Sequence, residues 1–334
     1  MGLVVVTGVA GFLGSHVADA YLAKGWQVRG IDNLLGGSLD NVSAGVEFYE
    51  LDLDDLDAIA PVFVGADLVI HAACTAYEGL SVFSPALVVR NTVQISVNAM
   101  TASIQAGVSK FVYMSSMARY GDNLGHFFDE SLTPKPQDPY GIAKLSAEKL
   151  LSNLAEVHNV DLVILVPHNI VGARQKFDDP FRNVASIMTN RMLQGKQPII
   201  YGDGSQQRCF SFIADVIAPI LVACESDEAV GQVINIGPDE SPITILSLAE
   251  RLAEIIGFDL QPIFMPGRPQ EVPVALCSSD KARQLLGYKT TVTLDQGLTD
   301  LVDWIRPRVK EFEYHLPIEI DSDLTPKTWT QRLI

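Results

Sequence analysis

Residues 3–14 read Leu3-Val4-Val5-Val6-Thr7-Gly8-Val9-Ala10-Gly11-Phe12-Leu13-Gly14. The first four are uninterrupted apolar residues, the pattern of a short strand covered on both faces in a parallel sheet. Glycines at 8, 11 and 14 follow, then residues of helical character through about Lys24. Glycines at this spacing let the backbone turn sharply and lie close against another group. A strand, a glycine turn and a helix in that order bring free N–H groups and the positive end of a helix to one point, where a pyrophosphate can sit.

Working outward, a second apolar strand at 28–31 ends in Asp32. A carboxylate at that distance meets the hydroxyls of an adenosine ribose and repels a 2′-phosphate, so NAD is favoured over NADP. A third strand at 46–51 ends in Asp52-Leu53, placed to flank the adenine, and a fourth at 67–70 ends in His71-Ala72-Ala73. The two alanines are small enough for the backbone to approach a cofactor; His71 reads as a packed histidine. A long helix at about 85–106 precedes a fifth strand, 110–114, which delivers Ser115 and Ser116. After a polar loop at 129–139, a helix runs to about His158, and a sixth strand at 161–166 opens into residues 167–172. Strands alternating with helices in this way predict right-handed βαβ units in an α/β fold, a Rossmann-type doubly wound parallel sheet.

The helix that follows the polar loop carries Tyr140 and, four residues on, Lys144. On a helix these side chains share a face, so both polar heads reach one site. A fixed ammonium beside a phenol favours phenolate and lowers its pKa from an ordinary value of about 10. Tyr140 is thus a candidate base for a substrate hydroxyl, with Lys144 as its tuner.

Beyond Ala173 the chain gathers Arg174, Lys176, Arg182, Arg191, Lys196 and Arg208, although it is otherwise acidic. This predicts a smaller, mixed α/β lobe facing an anion. The expected division is a cofactor domain over 1–173, a substrate lobe over 174–311 with some segments returning to the first domain, and a C-terminal arm over 312–334 with no clear period.

A net charge of −16 argues against a nucleic-acid or anionic-membrane surface, which needs a basic footprint. Cys74, Cys209, Cys224 and Cys277 lie far apart with no C-x-x-C pair, so reduced thiols are expected and neither a disulfide framework nor a metal site. Without a basic leader or an apolar run of membrane-spanning length, a soluble cytoplasmic protein is expected.

In order and spacing, T-G-x-x-G-x-x-G at 7–14, Asp32, Asp52-Leu53, His71-Ala72-Ala73, Ser115-Ser116, Tyr140-x-x-x-Lys144 and Asn169 resemble the extended short-chain dehydrogenase/reductase superfamily along nearly the whole chain. Within it the chain most resembles nucleotide-sugar epimerases of the UDP-glucose 4-epimerase type. Asn183, Tyr-Gly-Asp-Gly at 201–204, Arg208, Asp215-Val216 and Arg-Pro-x-x-Glu at 268–271 extend the likeness into the second lobe.

The resemblance implies NAD as cofactor and C4 epimerisation of a UDP-hexose through a transient 4-keto sugar, with Ser116, Tyr140 and Lys144 catalytic. It implies cofactor contacts from Gly8, Gly11, Phe12, Leu13, Gly14, Asp32, Asn33, Asp52, Leu53, Ala72, Ala73 and Asn91, with Thr92 as the alternative to Asn91. Asn169 and Asn183 would hold the sugar and diphosphate, Arg208 and Arg268 the phosphates, and Glu271 the uridine ribose. Ala275 would stand where a bulky residue closes the space around the C2 substituent, with His168 or Arg119 as alternative fillers. A homodimer through paired helices is implied, with Leu87, Val88, Ile95, Ala99, Ala102, Leu145 and Leu150 as a possible face.

Relatives that dehydrate or decarboxylate the keto sugar carry an acid just after the catalytic Ser/Thr; here Met117 and Ala118 stand there. A 4-keto reductase, a dehydratase, a decarboxylase or a uronate epimerase of the same superfamily remains open, as does a non-catalytic NAD sensor. The sensor type usually lacks the Tyr/Lys pair.

Overall fold

The structure, a computed structural model, describes residues 2–121 and 127–334. The first lobe is built from β1 (Leu3–Thr7), α1 (Phe12–Ala23), β2 (Gln27–Asp32), β3 (Val46–Glu50), α2 (Leu56–Phe63), β4 (Leu68–His71), α3 (Glu78–Ser81), α4 (Pro85–Val89), α5 (Ile95–Gln105), β5 (Lys110–Met114), α6 (Pro139–His158) and β6 (Asp161–Pro167). With the later strand Val233–Ile236, the six strands form one parallel sheet in the order Val233–Ile236, β6, β5, β4, β1, β2, β3. Alternation along β1 explains the helical layers. Leu3 and Val5 pack on one face with Ile59, Ile95, Ala99 and Leu151, and Val4 and Val6 on the other with Val17, Tyr21 and Ile220. Burying a side chain of valine size is worth about 1.5–3 kcal/mol, so both faces of this strand are committed to core. The strand order reverses between β1 and β4, which opens a crevice at the carboxyl ends of the strands.

Helix α6 begins where its sequence directs. The Asp138 carboxylate accepts from the Gly141 amide at 2.9 Å, Pro139 supplies a preset first residue, and Asn159 ends the helix in the left-handed region at φ 54°. The helix expected at 85–106 is not regular. It divides into α4 and α5 around a π-type turn, Arg90–Gln94, in which Asn91 has φ −81° and ψ 17°.

After β6 the chain builds the second lobe, with α7 (Val184–Leu193), α8 (Ile213–Glu225) and the helices Ile245–Ile256 and Leu294–Ile305. The last of these is started by a reciprocal Thr293/Gln296 cap. Its core joins Met188 and Met192 to Leu248, Leu252, Leu298 and Leu301. Helix α8 and Val233–Ile236 return to the first lobe and complete the sheet.

Two expectations are corrected here. Ile95, Ala99 and Ala102 are buried against the chain's own sheet, the face that the apolar period of a helix marks, and Val88 is buried against Tyr140 and Ala118; they form no docking face. The outward positions of these helices are Val89, Ile142 and Leu150. Most of the basic residues after Ala173 are not turned to the cleft either. Arg174 pairs with Asp19, Lys176 with Asp178 and Lys196 with Glu311, while Arg191 donates to the Gln197 and Leu333 carbonyls. Only Arg182 and Arg208 of that group reach the cleft.

The C-terminal segment crosses the rim between the lobes. Glu319 accepts from the Ala86 and Leu87 amides at 2.8 and 2.9 Å, which serves the free N-terminus of α4. Trp329 packs edge-on against Phe83 and Phe181, and Arg191 of α7 donates to the Leu333 carbonyl at 3.1 Å.

Candidate active site

One cleft runs along the carboxyl ends of the strands and under the second lobe. The glycine turn forms its floor. A Cβ at Gly14 would stand 2.2 Å from the Gly8 carbonyl oxygen, and Gly8 itself has φ +71° with the Ala73 backbone 2.8 Å from where its Cβ would be. Neither position admits a side chain, which explains glycine there. Gly11, the N-cap of α1, offers no side-chain cap, so the first N–H groups of the helix stay free for an anion. Asp32 accepts from the Ala10 and Leu34 amides at 3.0 and 2.8 Å, which fixes its carboxylate at the end of β2. The chemistry of this wall fits a dinucleotide. A glycine cradle faces a fixed acid, and the buried Asn91 Oδ1 has no hydrogen-bond partner among the described residues. The π-type turn selects Asn91 over Thr92: Asn91 lines the cleft and Thr92 does not.

Farther along, Ser116, Tyr140 and Lys144 converge. Lys144 donates to the Met114 carbonyl at 2.7 Å, which holds its ammonium 4.9 Å from the centre of the Tyr113 ring. Burial opposes its charge, yet Cys74, Tyr113 and Tyr140 around it raise its pKa overall. Tyr140 departs from expectation. Burial raises its pKa above the ordinary phenol value and outweighs the opposing pull of Lys144 and a hydrogen bond with Ser116. His71 is a packed histidine: it bridges the Thr7 hydroxyl at 2.7 Å and the Ser96 hydroxyl at 2.9 Å, and burial, with Lys144 adding, holds its pKa down to about 3.

Behind this site lies a buried ion pair that nothing in the local sequence announces. Arg119 meets Glu148 at 2.9 Å, one turn beyond Lys144 on α6, and Ser115 donates to the same carboxylate. Strand β5, which ends beside Ser116, is thereby tied to the helix bearing Tyr140.

On the opposite wall, Asn169 adopts φ +44° and donates to the Cys209 carbonyl at 3.0 Å. Asn183 caps α7, accepting from the Ala185 amide at 2.9 Å. Arg208 donates to the Gln207 and Pro273 carbonyls at 2.8 and 3.4 Å, and Arg268 pairs with Glu271 at 3.0 Å while lying over the Tyr201 ring. All of these line the cleft, as does every cofactor candidate. Ala275 does not. It is buried in the core with Val272 and Cys277 and takes no part in the cleft lining. The alternatives are also excluded as fillers, since His168 is buried against the Pro238 carbonyl at 3.0 Å and Arg119 against Glu148. Tyr77, Glu78 and Phe181 line the cleft without a signal in the sequence, because each is a single residue outside any periodic pattern, whereas Arg182 is one of the basic residues expected to face an anion.

A Rossmann sheet, a glycine turn and a Ser/Tyr/Lys constellation under a second lobe define an extended short-chain dehydrogenase/reductase. Residues 4–237 match the model of the NAD-dependent epimerase/dehydratase family. The chain belongs to that family. It is 29% identical over 311 residues to the UDP-glucose 4-epimerase of Mycolicibacterium smegmatis, covering 90% of this chain and 98% of that one. Among solved structures it resembles UDP-glucose 4-epimerase with UDP-glucose from Thermotoga maritima, at 33% identity and a TM-score of 0.86 over 92% of this chain and 100% of that one. It also resembles UDP-glucuronic acid 4-epimerase from Bacillus cereus in complex with UDP-glucuronic acid and NAD, at 29% identity and a TM-score of 0.84 over 91% and 99%. The cofactor is NAD. Among the described residues, no helix is long and apolar enough to cross a membrane, and no group of side chains is arranged to hold a metal ion.

Proposed function

We propose that the protein epimerises C4 of a UDP-hexose, the glucose/galactose pair, the N-acetylhexosamine pair or both, through a transient 4-keto sugar. The observation that carries this reading is the placement of Ser116, Tyr140 and Lys144 across one cleft from Asn169, Asn183, Arg208 and Arg268. Gly8, Gly11, Gly14, Asp32 and Asn91 would hold the cofactor, with Lys144 at its catalytic end. Bound NAD supplies the acceptor and donor of hydride. Tyr140 takes the proton of the sugar 4-hydroxyl and returns it, while Ser116 hydrogen-bonds the same oxygen and Lys144 stabilises the phenolate. The arginine forks suit phosphate oxygens. Met117 and Ala118 supply no carboxyl for elimination at C5–C6, which favours return of the keto sugar over its dehydration.

Separate incubations with UDP-glucose, UDP-N-acetylglucosamine and UDP-glucuronate, followed through the anomeric protons by NMR, test the reading. Inversion at C4 of a hexose supports it, and loss of water or carbon dioxide refutes it. An epimerase recovers its own hydride, so the protein is expected to purify with NAD bound and to turn over with little or none added. Stoichiometric release of NADH during turnover would mark a net oxidoreductase instead.

We also propose a homodimer through the outward faces of α4, α5 and α6, where Val89, Ile142 and Leu150 are exposed. Light scattering at micromolar concentration is expected to give twice the mass of one chain, and a monomer there removes the idea.

A further inference from the structure

The cleft is lined by four carboxylates, and three are engaged. Asp32 holds two backbone amides, Asp52 meets Arg90 and Asn33, and Glu271 pairs with Arg268. Glu78 alone has no side-chain hydrogen bond or ion pair among the described residues, although it lines the cleft and is exposed. Its place is fixed from both sides. Tyr77, just before it, donates to the buried Asp179 at 2.5 Å, and Ser81, at the end of the same short helix, donates to Asp138 at 3.3 Å. Asp138 caps α6 two residues ahead of Tyr140, while Gly79 lies against the Arg268 guanidinium. Glu78 therefore stands between the catalytic tyrosine and the arginines of the phosphate end, the stretch a hexose must occupy if the epimerase reading holds.

We propose that Glu78 is a specificity-determining residue of the sugar subsite, which accepts a hydrogen bond from a neutral hexose and excludes nucleotide sugars that carry a carboxylate. Arg208 and Arg268 are the cations that act on Glu78, with Asp138 a second acid there. Arg268 is already matched by Glu271, and a bound diphosphate would take up Arg208, which would leave no free cation for a uronate. Enclosure by the cleft walls, with Asp138 adding, brings the Glu78 carboxyl up to about 7, so it is largely ionised in mildly alkaline buffer. A carboxylate brought beside it meets a like charge.

The inference rests on the proposed function, but binding separates the two. Dissociation constants of UDP-glucose, UDP-glucuronate and UDP are measured by calorimetry on the NAD-loaded protein at pH 8, for wild type, Glu78→Gln and Glu78→Ala, alongside turnover by NMR. Wild type is expected to bind UDP-glucuronate at least about 30-fold more weakly than UDP-glucose, and both variants to close that gap to about three-fold. Unchanged affinity for UDP shows that a variant has kept its fold. Equal binding of the two sugars by wild type overturns the proposal, as does a ratio unmoved by both substitutions. Discrimination in binding without C4 inversion of any sugar upholds the charge filter and refutes the epimerase reading.

Discussion

Replacing Tyr140 with phenylalanine is expected to lower kcat by about 10³-fold while the dissociation constant of the nucleotide sugar stays within a few-fold of wild type. The ring packs with Val88 and Ala118, and phenylalanine keeps that packing. Only the oxygen that accepts the substrate proton is lost. The loss corresponds to about 4 kcal/mol of transition-state stabilisation. The environment of Tyr140 makes the result more informative. Burial holds its pKa up while Lys144 and a hydrogen bond with Ser116 pull it down, so the phenolate, the form able to accept the substrate proton, depends on those two neighbours. Wild-type kcat in the variant would assign the proton to another group in the cleft.

Glu148→Ala is expected to destabilise the fold by about 3–5 kcal/mol, because it leaves the Arg119 guanidinium buried without its counter-charge. Both side chains are nearly inaccessible, at 7% and 4%, so solvent cannot stand in for the missing carboxylate. Ser115 loses its acceptor in the same step. The paired replacement Arg119→Leu with Glu148→Met removes both charges and is expected to recover most of the loss. Urea denaturation of the three proteins measures this. A drop below about 1 kcal/mol for Glu148→Ala, or a double variant no more stable than the single one, contradicts this account of the pair.

What was legible in the chain was local and patterned. Glycines 8, 11 and 14 between an apolar run and a helix, Asp32 at the end of the next strand, and Tyr140 four residues before Lys144 each carry their geometry in their spacing. The errors came where spacing does not determine direction. Counting to Ala275 gives its distance along the chain, but packing decides what surrounds it, and the fold buries it with Val272 and Cys277. The apolar period at Val88, Ile95, Ala99 and Ala102 is real, yet the chain's own sheet and Tyr140 use it. Arginines such as Arg174 and Arg191 found partners brought near only by folding, and Glu78 draws its meaning from Tyr77, Ser81 and Arg268 around it, which no window on the sequence joins.

The π-type turn at Arg90–Gln94 makes chain length itself a functional variable. A π turn accommodates one residue more than an α-helix of the same span. Deleting a single residue there would let a plain helix run from α4 into α5, with Ile95, Ala99 and Ala102 still facing the sheet and the regular hydrogen-bond ladder restored. The shorter chain would regain helical hydrogen bonds but give up the one that the Thr75 amide donates to the Asn91 carbonyl at 3.2 Å, and would turn Asn91 from its place in the cleft. At this one point insertion and deletion, rather than substitution, decide whether Asn91 faces the cleft.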